Sequence, residues 1–199
     1  VSRGGIKLKH ALDHFGLDAT GRVCLDIGAS TGGFTDVLLQ HGAAQVYAVD
    51  VGHGQLDYRL RRDPRVVCLE GVNIRNGLSL PTLCDMATID VSFISLELVL
   101  PSVADAVGPG GSIVALVKPQ FEVGKERVGS GGVVRDPVLR SLAVRRIADV
   151  ALDLGLGTAG VVASPLPGPP KHESNVRNTH VTHIRKQTAP PSPRRLGIH

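Results

Sequence analysis

The chain has 199 residues, enough for one domain with a sizeable core, and its charged (20%) and apolar (42%) fractions are those of a globular protein. No apolar run reaches membrane-spanning length, nothing resembles a signal peptide, and scarce aromatics (no Trp, two Tyr, four Phe) argue against a base-stacking platform for single strands. The formal charge of +4 sits late in the chain: residues 165–199 hold six basic side chains against Glu173 alone, so any basic surface on the body is a local patch.

Residues 1–15 read as a helix. Ser2 is its N-cap, Ile6, Leu8, Leu12 and Phe15 supply the apolar positions, and Gly16 closes it. Arg3, Lys7, Lys9, His10 and His14 make it locally basic, as a solvated face or as a binding surface. The chain opens on Val1 rather than Met, which reads as a piece of a longer protein. Residues 22–26 form the first strand and end in Asp26. A glycine-rich turn, 28–33, leads into a helix patterned by Phe34, Val37, Leu38 and Leu39. Strand, turn and helix in this order place a small ligand at the strand's carboxyl end. Gly28, Gly32 and Gly33 let the backbone approach that ligand closely. An acid ahead of the turn suits S-adenosylmethionine better than a dinucleotide, since a pyrophosphate avoids a carboxylate and the methionine ammonium group seeks one.

The second strand, 45–49, ends at Asp50, where a ribose diol would be hydrogen-bonded. After the third, 65–69, Glu70 and Asn73 stand where an acid or amide could meet adenine, although an Asx turn explains Asn73 equally well. The fourth strand, 87–90, leads to a helix at 96–107 with Pro101 inside it. Pro109, Gly110 and Gly111 then turn the chain into the fifth strand, 112–117. That strand ends at Lys118, and a lysine there is costly unless it does chemistry. Residues 120–135 are a glycine-containing loop of mixed charge near the site, Asp136 caps a helix through 154, and 160–163 is the sixth strand. Six β-α repeats imply an α/β fold: a doubly wound, mostly parallel sheet of six or seven strands with helices on both faces. Residues 178–186 read as a final edge strand, closing a domain over 1–186, and 187–199 as a disordered, proline-rich tail. Cys24, Cys68 and Cys84 have no metal spacing and read as reduced core thiols of a cytoplasmic protein.

Several stretches carry a family likeness together: VSRGGIKL at 1–8, DIGASTGGFT at 26–35, AVDVGHGQL at 48–56, DVSFISL at 90–96, LVKPQFE at 116–122 and SPLPGP at 164–169. The sequence resembles the hemolysin A-like (TlyA-type) branch of the FtsJ-like ribosomal RNA 2′-O-methyltransferases over residues 1 to about 170. The resemblance implies a Rossmann-like, class I methyltransferase fold, S-adenosylmethionine as cofactor, ribosomal RNA or a ribosomal subunit as partner, and neither metal nor membrane. It also implies a Lys-Asp-Lys-Glu tetrad, with Lys7, Asp90 and Lys118 in the first three places by motif. The fourth falls on Glu173, one residue early by ungapped count, or on Arg177 when Asn175 and Val176 are aligned. In the wider group, cofactor contacts fall on positions matching Gly32, Phe34, Asp50, Asn73 and Asp90; the reading of the residues adds Asp26, Gly28, Ser30 and Gly33. The family's N-terminal S4-type RNA-binding domain is not among these residues. Lys118 is the candidate to activate the ribose hydroxyl, as a base or as a cation stabilising the alkoxide. The other readings are a non-catalytic RNA-binding module on the same fold, a membrane-active protein, and, least, an NAD-dependent oxidoreductase.

Overall fold

The computed structural model describes residues 3–166 and 179–188. Its strands are β1 (Val23–Ile27), β2 (Gln45–Val49), β3 (Val66–Leu69), β4 (Cys84–Ile89), β5 (Val107–Val117), β6 (Leu156–Ala163) and β7 (His180–Lys186). Its α-helices are α1 (Arg3–Phe15), α2 (Gly33–Gln40), α3 (Tyr58–Arg61), α4 (Leu100–Ala106) and α5 (Pro137–Asp153). The strands make one sheet in the order β3-β2-β1-β4-β5-β7-β6. β1 to β5 pair in parallel, while β7 runs antiparallel to both β5 and β6.

Strand periodicity divides the core into two layers. Along β5, Ile113, Ala115 and Val117 join α4 and α5 on one face, with Leu25 and Ile27 of β1. Val114 and Leu116 point to the other face, where Leu8 and Leu12 of α1 and Phe34 and Leu38 of α2 meet Cys24 and Met86. The helices therefore cover both sides of a sheet whose central strands are apolar on both faces, as a parallel sheet requires. None of the helices is long and apolar enough to cross a membrane, among the described residues.

Several expectations need correction. Residues 180–186 form an interior strand wedged between β5 and β6, so the edge belongs to β6. Weak alternation read as an edge because His180, Thr182 and His183 look polar; the first is half-buried and the other two are buried. Pro109 to Gly111 belong to β5 itself, at a register irregularity against β4, and a Cβ at Gly111 would strike Val107. Pro101 starts α4 rather than interrupting a longer helix, and residues 96–98 form a separate 3₁₀ turn. Six β-α repeats are too many. β3 and β4 are joined through the 3₁₀ turn Ile74–Asn76, with no α-helix between them. The expected cap at Ser2 lies outside the described residues.

β1 connects outward to β2, and β4 lies on its other side, so the strand order reverses between β1 and β4. At that switch point the carboxyl ends of two neighbouring strands part and leave a crevice. Gly28 lines it at φ +80, and a Cβ there would stand 2.6 Å from the carbonyl oxygen of Asp90. Gly21 has a similar φ of +69 with nothing within 4 Å. Gly21→Ala should therefore cost only the left-handed strain of about 1–2 kcal/mol. Gly28→Ala should cost roughly 1–3 kcal/mol beyond that, because backbone rather than a mobile side chain blocks the methyl group. Urea unfolding of the two variants measures the difference, and equal losses would show that the approach at Asp90 is not tight.

Candidate active site

A cleft of ≈ 760 Å³ opens at the switch point. The segments at and beyond the ends of β1, β2, β3 and β4 line it with Gly28, Ser30, Asp50, Gln55, Asn73 and Asp90, together with the apolar Ile27, Val72 and Val91. That volume and mixture suit a nucleoside-sized ligand.

Asp50 organises one wall. Its Oδ2 accepts from the Ser30 amide at 2.8 Å and its Oδ1 from the Gly52 amide at 2.8 Å. One carboxylate thus ties the β1 turn to the β2 turn and keeps lone pairs for a ligand diol. Ser30 holds φ 48, a left-handed conformation uncommon outside glycine, and its Oγ donates to Gln55 Oε1 at 3.4 Å. Asn73 caps the 3₁₀ turn through Oδ1, which accepts from the Arg75 amide at 3.1 Å, and it also lines the cleft. The Asx turn and the ligand wall are both served by one residue.

The opposite end of the cleft carries the charge. Asp90 follows β4 and Lys118 follows β5. Their predecessors, Ile89 and Val117, both face the α4–α5 layer, so the alternation sends Asp90 and Lys118 toward the face that α1 covers. Lys118 Nζ lies 2.6 Å from Asp90 Oδ1, an ion pair in which both side chains are largely sequestered (13% and 23% exposed), and it donates to Ser92 Oγ at 2.9 Å. Lys7 arrives from α1, half-buried. Burial lowers its pKa, Asp90 opposes that, and the charges of Lys118 and Arg3 reinforce it. Lys7, Asp90 and Lys118, far apart in the chain, thus form one electrostatic cluster. Glu173 and Arg177 lie outside the described residues.

Four further candidates stand away from the cleft wall. Asp26 is fully buried, because strand alternation turns it toward α2. Its Oδ2 accepts from Thr35 Oγ1 at 2.7 Å and its Oδ1 from Thr88 Oγ1 at 3.2 Å. Burial raises its pKa to about 6, with the two threonine hydroxyls pulling the other way. Gly32, buried at φ 93, packs against Leu60 and Leu56, and it lines with Gly33 a separate hollow that also holds Asp36, Asp57 and Arg59. Phe34 is in the core of the α1–α2 layer. The glycine turn therefore splits: Gly28 and Ser30 face the cleft, while Gly32, Gly33 and Phe34 seat the helix. Sequence reasoning assigned no roles to Gln55, Ser92, Ser95 and Glu122. Of these, only Glu122 left a signal, an acid set between the apolar Phe121 and Val123.

Residues 1–176 match the family model for FtsJ-like methyltransferases. The chain belongs to that family. It is 55% identical over 172 residues to the 16S/23S rRNA (cytidine-2′-O)-methyltransferase TlyA of Mycobacterium tuberculosis, a match covering 85% of this chain and 64% of that one. The chain thus spans just under two thirds of that relative's length. A solved structure of a hemolysin-named protein from Lactococcus lactis is similar at TM-score 0.87 and 43% identity, over 94% of this chain and 88% of that one. The S-adenosylmethionine-dependent methyltransferase of Mesorhizobium loti, at 17% identity, shares the fold with TM-score 0.69 over 93% of this chain and all of that one. The architecture is accordingly the Rossmann-like methyltransferase fold.

Asp26 yields a signed pH prediction. Its folded pKa of about 6 stands above the ordinary value near 3.9, so the protonated form is favoured in the fold. The resulting stabilisation is complete below pH ~4 and is lost as pH rises through about 6. Relative to Asp26→Asn, which does not titrate, the native protein should lose up to roughly 3 kcal/mol between those limits. Urea unfolding of both proteins at several pH values tests this, and a pH-independent difference would contradict it.

Proposed function

We propose that the chain is an S-adenosylmethionine-dependent methyltransferase that modifies ribose 2′-hydroxyls of ribosomal RNA. The observation that carries this reading is the Lys118–Asp90 pair at 2.6 Å, set at the end of a nucleoside-sized cleft with Lys7 beside it. Such a cluster brings a cation to the place where a hydroxyl must lose a proton.

The cleft fits the cofactor by the chemistry of its donors. Asp50 offers a carboxylate to the ribose diol, Asn73 an amide to the adenine, and Gly28 leaves room where a Cβ would collide with Asp90. Asp90 faces the amino-acid end and supplies the negative charge that Asp26, enclosed by Thr35 and Thr88, does not present to the cleft. When bound there, S-adenosylmethionine supplies the methyl electrophile.

The protein's own work is positioning and easing the loss of one proton. Lys118 donates one N–H to Ser92 Oγ and is ion-paired with Asp90, which leaves N–H donor capacity for the acceptor hydroxyl. Held so, Lys118 stabilises the developing alkoxide. Lys7, whose pKa burial lowers, adds a second positive charge to the same field, and the hydroxyl proton leaves for solvent as the methyl group arrives. An acceptor of ribosomal RNA places the enzyme in the cytoplasm, and the fully buried Cys24 and Cys84 thiols agree with a reducing compartment.

Lys118→Ala should reduce labelled-methyl transfer to ribosomal RNA or subunits by ~10²–10⁴, with S-adenosylmethionine affinity within a few-fold. Full activity would end the mechanism. Asp50→Ala should weaken cofactor binding about tenfold or more, read by calorimetry, equivalent to ~1.4 kcal/mol. Unchanged affinity would remove the ribose assignment.

A further inference from the structure

Glu122 is a carboxylate closed off from water. It is only 3% exposed and follows the 3₁₀ turn Pro119–Phe121 that begins directly after Lys118. Both of its oxygens are engaged across the site: Oε2 accepts from Ser95 Oγ at 2.5 Å and Oε1 from the Leu96 amide at 3.0 Å. Its backbone carbonyl accepts from Arg146 Nη1 at 3.1 Å, and Arg146 Nη2 reaches Glu97 Oε2 at 2.5 Å. Burial raises its pKa, while the Ser95 and Leu96 donors and the Arg146 charge oppose the rise. A buried acid of this kind is costly to keep and costly to remove.

The two segments it joins are those that build the charged end of the cleft. Residues 90–95 leave β4 bearing Asp90 and Ser92, and residues 118–122 leave β5 bearing Lys118. At the cleft end they meet through Lys118, ion-paired with Asp90 and hydrogen-bonded to Ser92. At the far end they meet through Glu122, bonded to Ser95 and Leu96. Between the two fastenings Phe93 holds φ 65 while 92% exposed, its ring merely tilted against Phe121 at 5.3 Å. A left-handed aromatic residue costs about 1–2 kcal/mol and persists only where its surroundings over-determine it. So exposed a ring cannot supply that constraint by burial. The fastenings on either side do.

We infer that Glu122 is a positioning residue: it bolts the 90–95 turn to the 118–122 segment and so sets the spacing of Asp90, Ser92 and Lys118. The inference rests on the methyltransferase reading for its kinetic consequence. Glu122 touches no reacting atom. Without it, Ser95 and Leu96 lose their acceptors, the strained turn relaxes, and Lys118 loses its fixed partners.

The test uses the whole chain with Glu122→Ala, Glu122→Gln and Ser95→Ala. Misplacement of the reacting groups is expected to lower kcat of Glu122→Ala by about 10²-fold, with KM for RNA and calorimetric S-adenosylmethionine Kd within about threefold. Glu122→Gln should recover most of the loss, because its amide oxygen still accepts from Leu96 and the Ser95 hydroxyl can turn to accept. A kcat within twofold of wild type in folded Glu122→Ala, or a loss confined to KM or Kd, overturns the inference. Should Glu122→Ala fail to fold, Ser95→Ala decides: a kcat drop at unchanged KM supports the bolt, and unchanged kcat overturns it. An NMR cross-peak between Lys118 Hε and Ser92 Hβ, present in the native chain and lost in the variants, reads the geometry without turnover. If the native chain transfers no methyl group, the enzymatic reading falls and this cross-peak still judges the bolt.

Discussion

Asp26 sits where β1, α2 and β4 converge, and its two threonine bonds determine where the cleft can open. Thr35 fastens the first turn of α2 to β1, and Thr88 fastens β4 on the other side. A carboxylate in that position must satisfy both oxygens or pay for burial, so the three elements are held at one spacing. The glycine turn then has a single path over the top of β1. It runs close enough to β4 that a Cβ on Gly28 would collide with the Asp90 carbonyl. The wall of the cleft is therefore a consequence of packing beneath it.

The charged end follows from the same strand alternation that builds the core. Ile89 and Val117 are required on the α4–α5 layer, which leaves the next residue of each strand facing α1. That is how an acid and a lysine from adjacent strands arrive side by side, and how Lys7 from the first helix comes to share their field. Because the two members Asp90 and Lys118 are largely shielded from water, their mutual charge weighs heavily in that field.

The parallel half of the sheet was legible in the residues, because each buried strand there is a short apolar run ended by an acid or a lysine. Asp50, Asn73, Asp90 and Lys118 could be placed at strand ends for the same reason. What was not legible depends on partners rather than on local pattern. The polar-looking 180–186 segment is interior because β5 and β6 both need it, a fact contained in neither. Asp26 reads as a ligand group from its place before the glycines, yet which way it faces depends on the parity of β1 and on threonines 9 and 62 positions away. Gly32 and Gly33 look like part of one ligand cradle, but beyond the end of β1 the turn carries them to a separate hollow at the start of α2. Glu122 gave a sign of its burial and none of its partners, which belong to another strand's connection.

The antiparallel course of β7 has a topological consequence. Because it runs against β6, the connection between them leaves and returns on the same side of the sheet. The amide of Ser164 donates to the carbonyl of Thr179 at 2.9 Å, and His180 is paired with Val117, the residue before Lys118. The end of β6 and the start of β7 thus meet beside Lys118. A parallel β7 would begin at the opposite end of the sheet, away from Lys118.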